Sequence, residues 1–176
     1  MSQTVFVSTS IPYVNGKPHI GHALEFVQAD VISRYFRLQR NDTFFLTGTD
    51  ENSLKNVRAA AEAGIPIQEL CDRNSDVFQT LASSLNISND DFIRTSREIR
   101  HTHGAQKFWS QIRPGDIYKK YYTGRYCVGC ENFYTEKEVP DGICQEHQTP
   151  LEIIEEENYF FRLSAYQEKL IELLES

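Results

Sequence analysis

The chain has 176 residues, 40% hydrophobic and 12% aromatic, which suits one ordinary core with a small appendage and excludes a disordered protein. Its formal net charge of −7 argues against nonspecific DNA binding, which needs a basic surface, but leaves room for RNA contact through a local patch. No apolar run approaches membrane-spanning length, and the opening MSQTVFVSTS lacks the basic start and apolar stretch of a signal peptide, so the expected compartment is the cytoplasm, with no membrane partner.

In chain order, VFVS (5–8) is a β-rich run followed by the turn-forming IPYVNGKP. From Ile20 the apolar residues Ile20, Leu24, Val27, Val31 and Tyr35 recur three or four apart, which predicts a helix to about residue 40. TFFLTGTD (43–50) reads as a buried strand ending in a glycine and a carboxylate. ENSLKNVRAAAEAG is helical, with Gly64 as its C-cap and Pro66 opening a further helix to about Leu85. DFIRTS is a third strand, and TSRE (95–98) has the capping-box pattern ahead of a helix that RPGD (113–116) ends. Alternating strands and helices to about residue 115 predict an α/β unit with a parallel sheet. At RPGDIYKKYYTGRYC helical periodicity stops, so residues 116–163 form a small β-rich module. Residues 164–176 follow as a closing helix.

CVGC (127–130) and CQEH (144–147) are two ligand pairs at metal-binding spacing. Each turn aims two donors at one point, and two such turns complete a tetrahedron. Three thiolates and an imidazole, from Cys127, Cys130, Cys144 and His147, suit Zn2+, and a filled ligand set makes the metal structural. Gly129 fits the tight first turn, where backbone amides approach the sulfurs. The competing reading is a disulfide or plain structural thiols with an exposed histidine. Cys71 stands apart in a helix and reads as a buried thiol.

His19 and His22 fall three apart in the first turn of the predicted helix after the first strand. A helix N-terminus attracts phosphate, and imidazoles there can donate hydrogen bonds as charge builds on a transferring group. Gly21 would let a planar ring approach the backbone. The alternatives are two ordinary surface histidines or a metal-binding pair lacking an obvious third ligand. Ligands of open α/β sheets gather beyond the carboxyl ends of the strands, which favours the first reading. Asp50 ends the second strand at that same edge. It reads equally as a partner for an amino-acid ammonium or as a helix N-cap.

The string SIPYVNGKPHIGH, with TGTDEN after it and CVGC…CQEH…EENYFFRLS further on, resembles the methionyl branch of the class I aminoacyl-tRNA synthetases. PHIGH alone would indicate only a nucleotidyl-transferase superfamily. The resemblance implies the first half of a Rossmann-like nucleotide-binding fold over 1–115 and the zinc knuckle of a connective domain from about 116. It implies ATP-dependent activation of methionine, transfer to tRNA(Met), and Mg2+ accompanying ATP. His19 and His22 would contact the ATP phosphates, Gly21 would make room for adenine, Ser10, Ile11 and Tyr13 would line the methionine pocket, and Asp50 would bind the ammonium. Asn52 and Ser53 depart from the family's His-Gly. No KMSKS segment follows, so the chain is expected to be inactive alone and to need the missing C-terminal half as a partner. A noncatalytic zinc-knuckle module binding RNA or protein is the competing function, and another adenylating enzyme of the HIGH superfamily is a third.

Overall fold

The computed structural model describes residues 3–176, which divide into two compact units between Ala105 and Gln106. In the first unit β1 (Thr4–Ser8), β2 (Asp42–Thr49) and β3 (Asp91–Arg94) form a parallel sheet in that order. Helix α1 (Ile20–Leu38) connects β1 to β2, while α2 (Leu54–Ala63) and α3 (Ile67–Ser84) connect β2 to β3. This is the α/β arrangement that the alternating pattern predicts. The core gathers Val14, Phe26, Cys71, Phe78 and Ala82, with Leu81, Ile87 and Phe92 packed against them. Cys71 is thus a core thiol, and burial, then the nearby Glu51 carboxylate, push its pKa up.

Local signals set most helix ends. Gly64, at φ 65°, caps α2 in the left-handed region that glycine enters without steric cost. Pro66 stands one step before α3, with extended ψ of 140°, as its N-cap. The capping box expected at TSRE does not form, because α4 (Ile99–Ser110) begins after Glu98. The Thr95 hydroxyl instead accepts the main-chain N–H of Glu51 at 2.8 Å, and Ser96 donates to the Glu51 carboxylate. Contacts distant in sequence have outcompeted the local cap.

Helix α1 stands where its periodicity places it but buries a different face. Phe26, Ala29, Asp30 and Ser33 turn inward, also at helical spacing. Asp30 accepts from the Ser88 N–H at 2.7 Å and from Arg34 Nε at 2.6 Å, so its carboxylate remains satisfied. The apolar stripe of Ile20, Leu24, Val27, Val31 and Tyr35 lies exposed. Beside β2's Phe44, Phe6 on β1 is also exposed, the two rings stacked 6.0 Å apart.

The second unit, Gln106–Ser176, is built on an antiparallel sheet of order β5-β4-β6, from β4 (Ile117–Cys127), β5 (Asn132–Tyr134) and β6 (Glu152–Phe161). A 3-10 turn (Leu163–Tyr166) leads into α5 (Gln167–Glu175). The end of α4 goes with this unit, where Trp109 packs edge-on against Tyr159 of β6, centroids 5.8 Å apart. None of the described helices is long and apolar enough to cross a membrane.

Candidate active site and metal centre

The segment between β1 and α1 follows β2 to its carboxyl end. Thr9 N–H donates to Leu46 O at 3.3 Å, and Asp50 N–H donates to Pro12 O at 2.9 Å, with Tyr13 and Asp50 forming a parallel bridge. Val14 plugs the core, and its carbonyl accepts from Asn74 Nδ2 at 2.6 Å. Ser10 is tied to α1: its N–H and hydroxyl both donate to Glu25 Oε1 at 2.7 Å. The result is a cleft of about 650 Å3. Ser10, Ile11, Tyr13, His19, Gly21 and His22 all line it.

The two histidines form the helix start themselves. His19 is the N-cap of α1, in an extended conformation, and its Nδ1 accepts from Gly21 N–H at 3.1 Å. His22 Nδ1 reaches back to accept the main-chain N–H of His19, also at 3.1 Å. This is a capping box in which imidazoles replace the usual hydroxyl and carboxylate. The rings stack with centroids 3.8 Å apart, and His22 meets the core ring of Phe78 edge-on at 5.1 Å. A Cβ at Gly21 would fall 3.0 Å from the His19 ring, so a side chain there would press on the cap. Burial, and next the adjacent His19, push the His22 pKa down, against an opposing pull from Glu25.

Asp50 is beside Tyr13 but outside the set of residues lining the cleft. Its Oδ1 accepts from Asn52 N–H at 2.9 Å, closing a turn two residues long. It is not the cap of α2. That role belongs to Ser53, whose hydroxyl accepts from Lys55 N–H at 3.1 Å. Ser53 therefore has a local use that a glycine could not supply.

Three charged cleft residues were not singled out from sequence: Lys17, Glu25 and Lys55. Lys55 sits in the first turn of α2, where a cation opposes the helix dipole, and its Nζ lies 5.3 Å from the Tyr13 ring centroid. An unfavourable cation at that sheet edge was the available signal. Behind the turn, the buried Glu51 carboxylate accepts from Arg94 Nε at 2.6 Å. Arg94 also reaches Asp72 at 2.6 Å, and Arg97 pairs with the same carboxylate. Hydrogen bonds from Arg97, then Arg94, hold Asp72 far below the usual carboxylate range. This network fixes Glu51, the immediate neighbour of Asp50.

In the second unit Cys127, Cys130, Cys144 and His147 bring their donor atoms within 4.8 Å of one another. Tetrahedral zinc with metal–sulfur bonds of about 2.3 Å needs sulfurs about 3.8 Å apart. Cys130 and Cys144 Sγ are 3.5 Å apart, and His147 Nδ1 lies 3.9, 3.2 and 3.8 Å from the sulfurs of Cys127, Cys130 and Cys144. The cluster is thus compatible with a zinc knuckle. Each turn also directs an amide at its first sulfur, Cys130 N–H to Cys127 at 3.5 Å and His147 N–H to Cys144 at 3.4 Å. The left-handed residue of each turn follows its second ligand, Glu131 at φ 51° and Gln148 at φ 54°. Gly129 turns its own amide toward the Cys127 sulfur and also leaves room for the imidazole, since a Cβ there would fall 2.4 Å from the His147 ring.

Residues 5–150 match the family model described as tRNA synthetases class I (M), and the chain belongs to that family. Within it, the chain is 49% identical over 176 residues to the methionine–tRNA ligase of Brucella suis biovar 1 (strain 1330), covering 97% of this chain and 34% of that protein. It is 45% identical to the methionine–tRNA ligase of Thermotoga maritima over 97% of this chain and 28% of the relative. Among solved structures, Mycobacterium tuberculosis methionyl-tRNA synthetase in complex with methionyl-adenylate superposes with a TM-score of 0.89 at 46% identity, over 96% of this chain and 34% of that one. The chain spans about a third of the length of these relatives.

Proposed function

We propose that the chain carries the HIGH-bearing half of a methionine–tRNA ligase active site. In the reaction, a carboxylate oxygen of methionine attacks the α-phosphorus of ATP, the bond to pyrophosphate breaks, and the methionyl group of the adenylate then passes to tRNA(Met). His19 and His22 would hydrogen-bond the phosphates as charge moves onto the leaving pyrophosphate, with Mg2+ accompanying the nucleotide. Gly21 would underlie the adenine. Ser10, Ile11 and Tyr13 would bound the methionine side, and Asp50 would hold its ammonium. The observation that carries this reading is the shared cleft: both imidazoles line it with Ser10, Ile11 and Tyr13 beyond the sheet's carboxyl edge.

Zinc bound to Cys127, Cys130, Cys144 and His147 would hold the second unit's turns together and take no part in the chemistry, since four protein ligands leave no open position. The exposed stripe of α1 and the open edge of β1 suit packing against the remaining part of the nucleotide-binding fold, the partner that would supply KMSKS lysines. The cytoplasm, where tRNA charging occurs, is the proposed compartment.

The test is methionine-dependent ATP–pyrophosphate exchange, run beside calorimetric titration of methionine and ATP. Alone, the chain should exchange orders of magnitude more slowly than a full-length relative, of whose length it spans about a third. It should still bind one ligand or both. Exchange at the full-length rate would overturn the need for a second half, and binding of neither ligand would favour a noncatalytic module.

A further inference from the structure

The same backbone contacts that start α1 also decide where its two histidines keep their protons. His19 Nδ1 faces Gly21 N–H, and His22 Nδ1 faces the N–H of His19, each at 3.1 Å. A backbone N–H can only donate, so each Nδ1 must present a lone pair, and a neutral imidazole then carries its proton on Nε2. We propose that this reciprocal cap fixes His19 and His22 as a neutral pair of Nε2–H donors, so that they meet their ligand as hydrogen-bond donors and neither as cations nor as general bases.

Three further observations fit. The rings lie 3.8 Å apart and stacked, a spacing at which two imidazolium charges repel strongly. The edge of Phe78 fixes the His22 ring on its inner side. Of the charged groups sharing the cleft, Lys17 and Lys55 are cations that disfavour a second positive charge on the pair, while Glu25, which accepts from the Ser10 N–H and hydroxyl, pulls His22 the other way without reversing the net lowering. Protonating either Nδ1 would place N–H against N–H and break that half of the cap. A neutral donor pair recognises oxygens of a polyphosphate and has no lone pair left for accepting a substrate proton.

The inference rests on the reading of the cleft as a nucleotide site, and the experiment separates the two. Long-range 1H–15N correlation spectra of the 15N-histidine-labelled chain at pH 7.5 report the tautomer of each ring without ligand. His19 and His22 should each show an unprotonated Nδ1 and a protonated Nε2, and ATP with Mg2+ should shift the Nε2 resonances most. An Nδ1–H tautomer, or values averaged over both tautomers as in a free imidazole, would overturn the proposal whatever ATP does. The expected tautomer with no response to ATP would leave the cap standing and sink the nucleotide reading.

Discussion

The two units stay folded by different means. Among the described residues, Val14, Phe26, Phe45, Leu70 and Phe78 are buried in the first unit, beside the Glu51–Arg94–Asp72 network. In the second unit the buried apolar residues are Val139 and two of the proposed metal ligands, Cys127 and Cys144. Its sheet carries aromatic pairs such as Tyr122 against Phe133, but large side chains such as Tyr121 and Tyr159 remain well exposed. A module of this size with so little buried surface needs a staple, and the Cys3His cluster is where one fits. The contrast teaches that a metal in this chain would do the work that a core does elsewhere.

The largest expected effect breaks the comparison directly. One zinc per chain should be found, and stripping it with a chelator should unfold the 117–163 module while leaving the first unit intact. Limited proteolysis should then cut within that module and spare a fragment ending near Ala105. Metal analysis showing no zinc, with the thiols joined in a disulfide, would reverse the cysteine assignment.

A smaller effect tests the other side. Phe78→Ala removes a fully buried ring that packs in the core and against His22. It should cost the first unit about 3–5 kcal/mol, read as a lower urea midpoint. Zinc retention and the proteolytic pattern of the second unit should stay unchanged. If both units lose stability together, they do not stand independently.

The sequence made legible whatever depends on neighbours close along the chain. Periodicity located α1, Gly64 marked the end of α2, and the paired C-x-x-C and C-x-x-H spacings announced the Cys3His cluster. What it hid depends on distant partners. Both faces of α1 have helical spacing, and only the packing partner selects Phe26, Ala29, Asp30 and Ser33 over the more apolar stripe. Thr95 reads as a cap until the Glu51 N–H, far back in sequence, takes its hydroxyl. The cleft followed the same division: the two histidines were visible, whereas Glu25, tied to Ser10 from within α1, joins it only through the fold.

The smallest effect concerns acid. Burial and the adjacent His19 lower the His22 pKa from 6.5, so the folded chain holds fewer protons there than the unfolded one. The stability that depends on neutral His22 is therefore complete above pH 6.5 and declines as pH falls from 6.5 toward the folded value. His19, Glu25, Lys17, Lys55 and Tyr13 are the charged or titratable groups that share its cleft, and Phe78 contributes none from α3. His22→Gln keeps an acceptor at the third helical position, where glutamine serves a capping box well, but cannot titrate. The urea midpoint of the first unit should thus fall more between pH 8 and pH 5.5 in the parent chain than in His22→Gln, with other groups cancelling in the difference. Equal falls would mean that His22 charges without cost, and the imidazole would then be a bystander to the cap that it is drawn as closing.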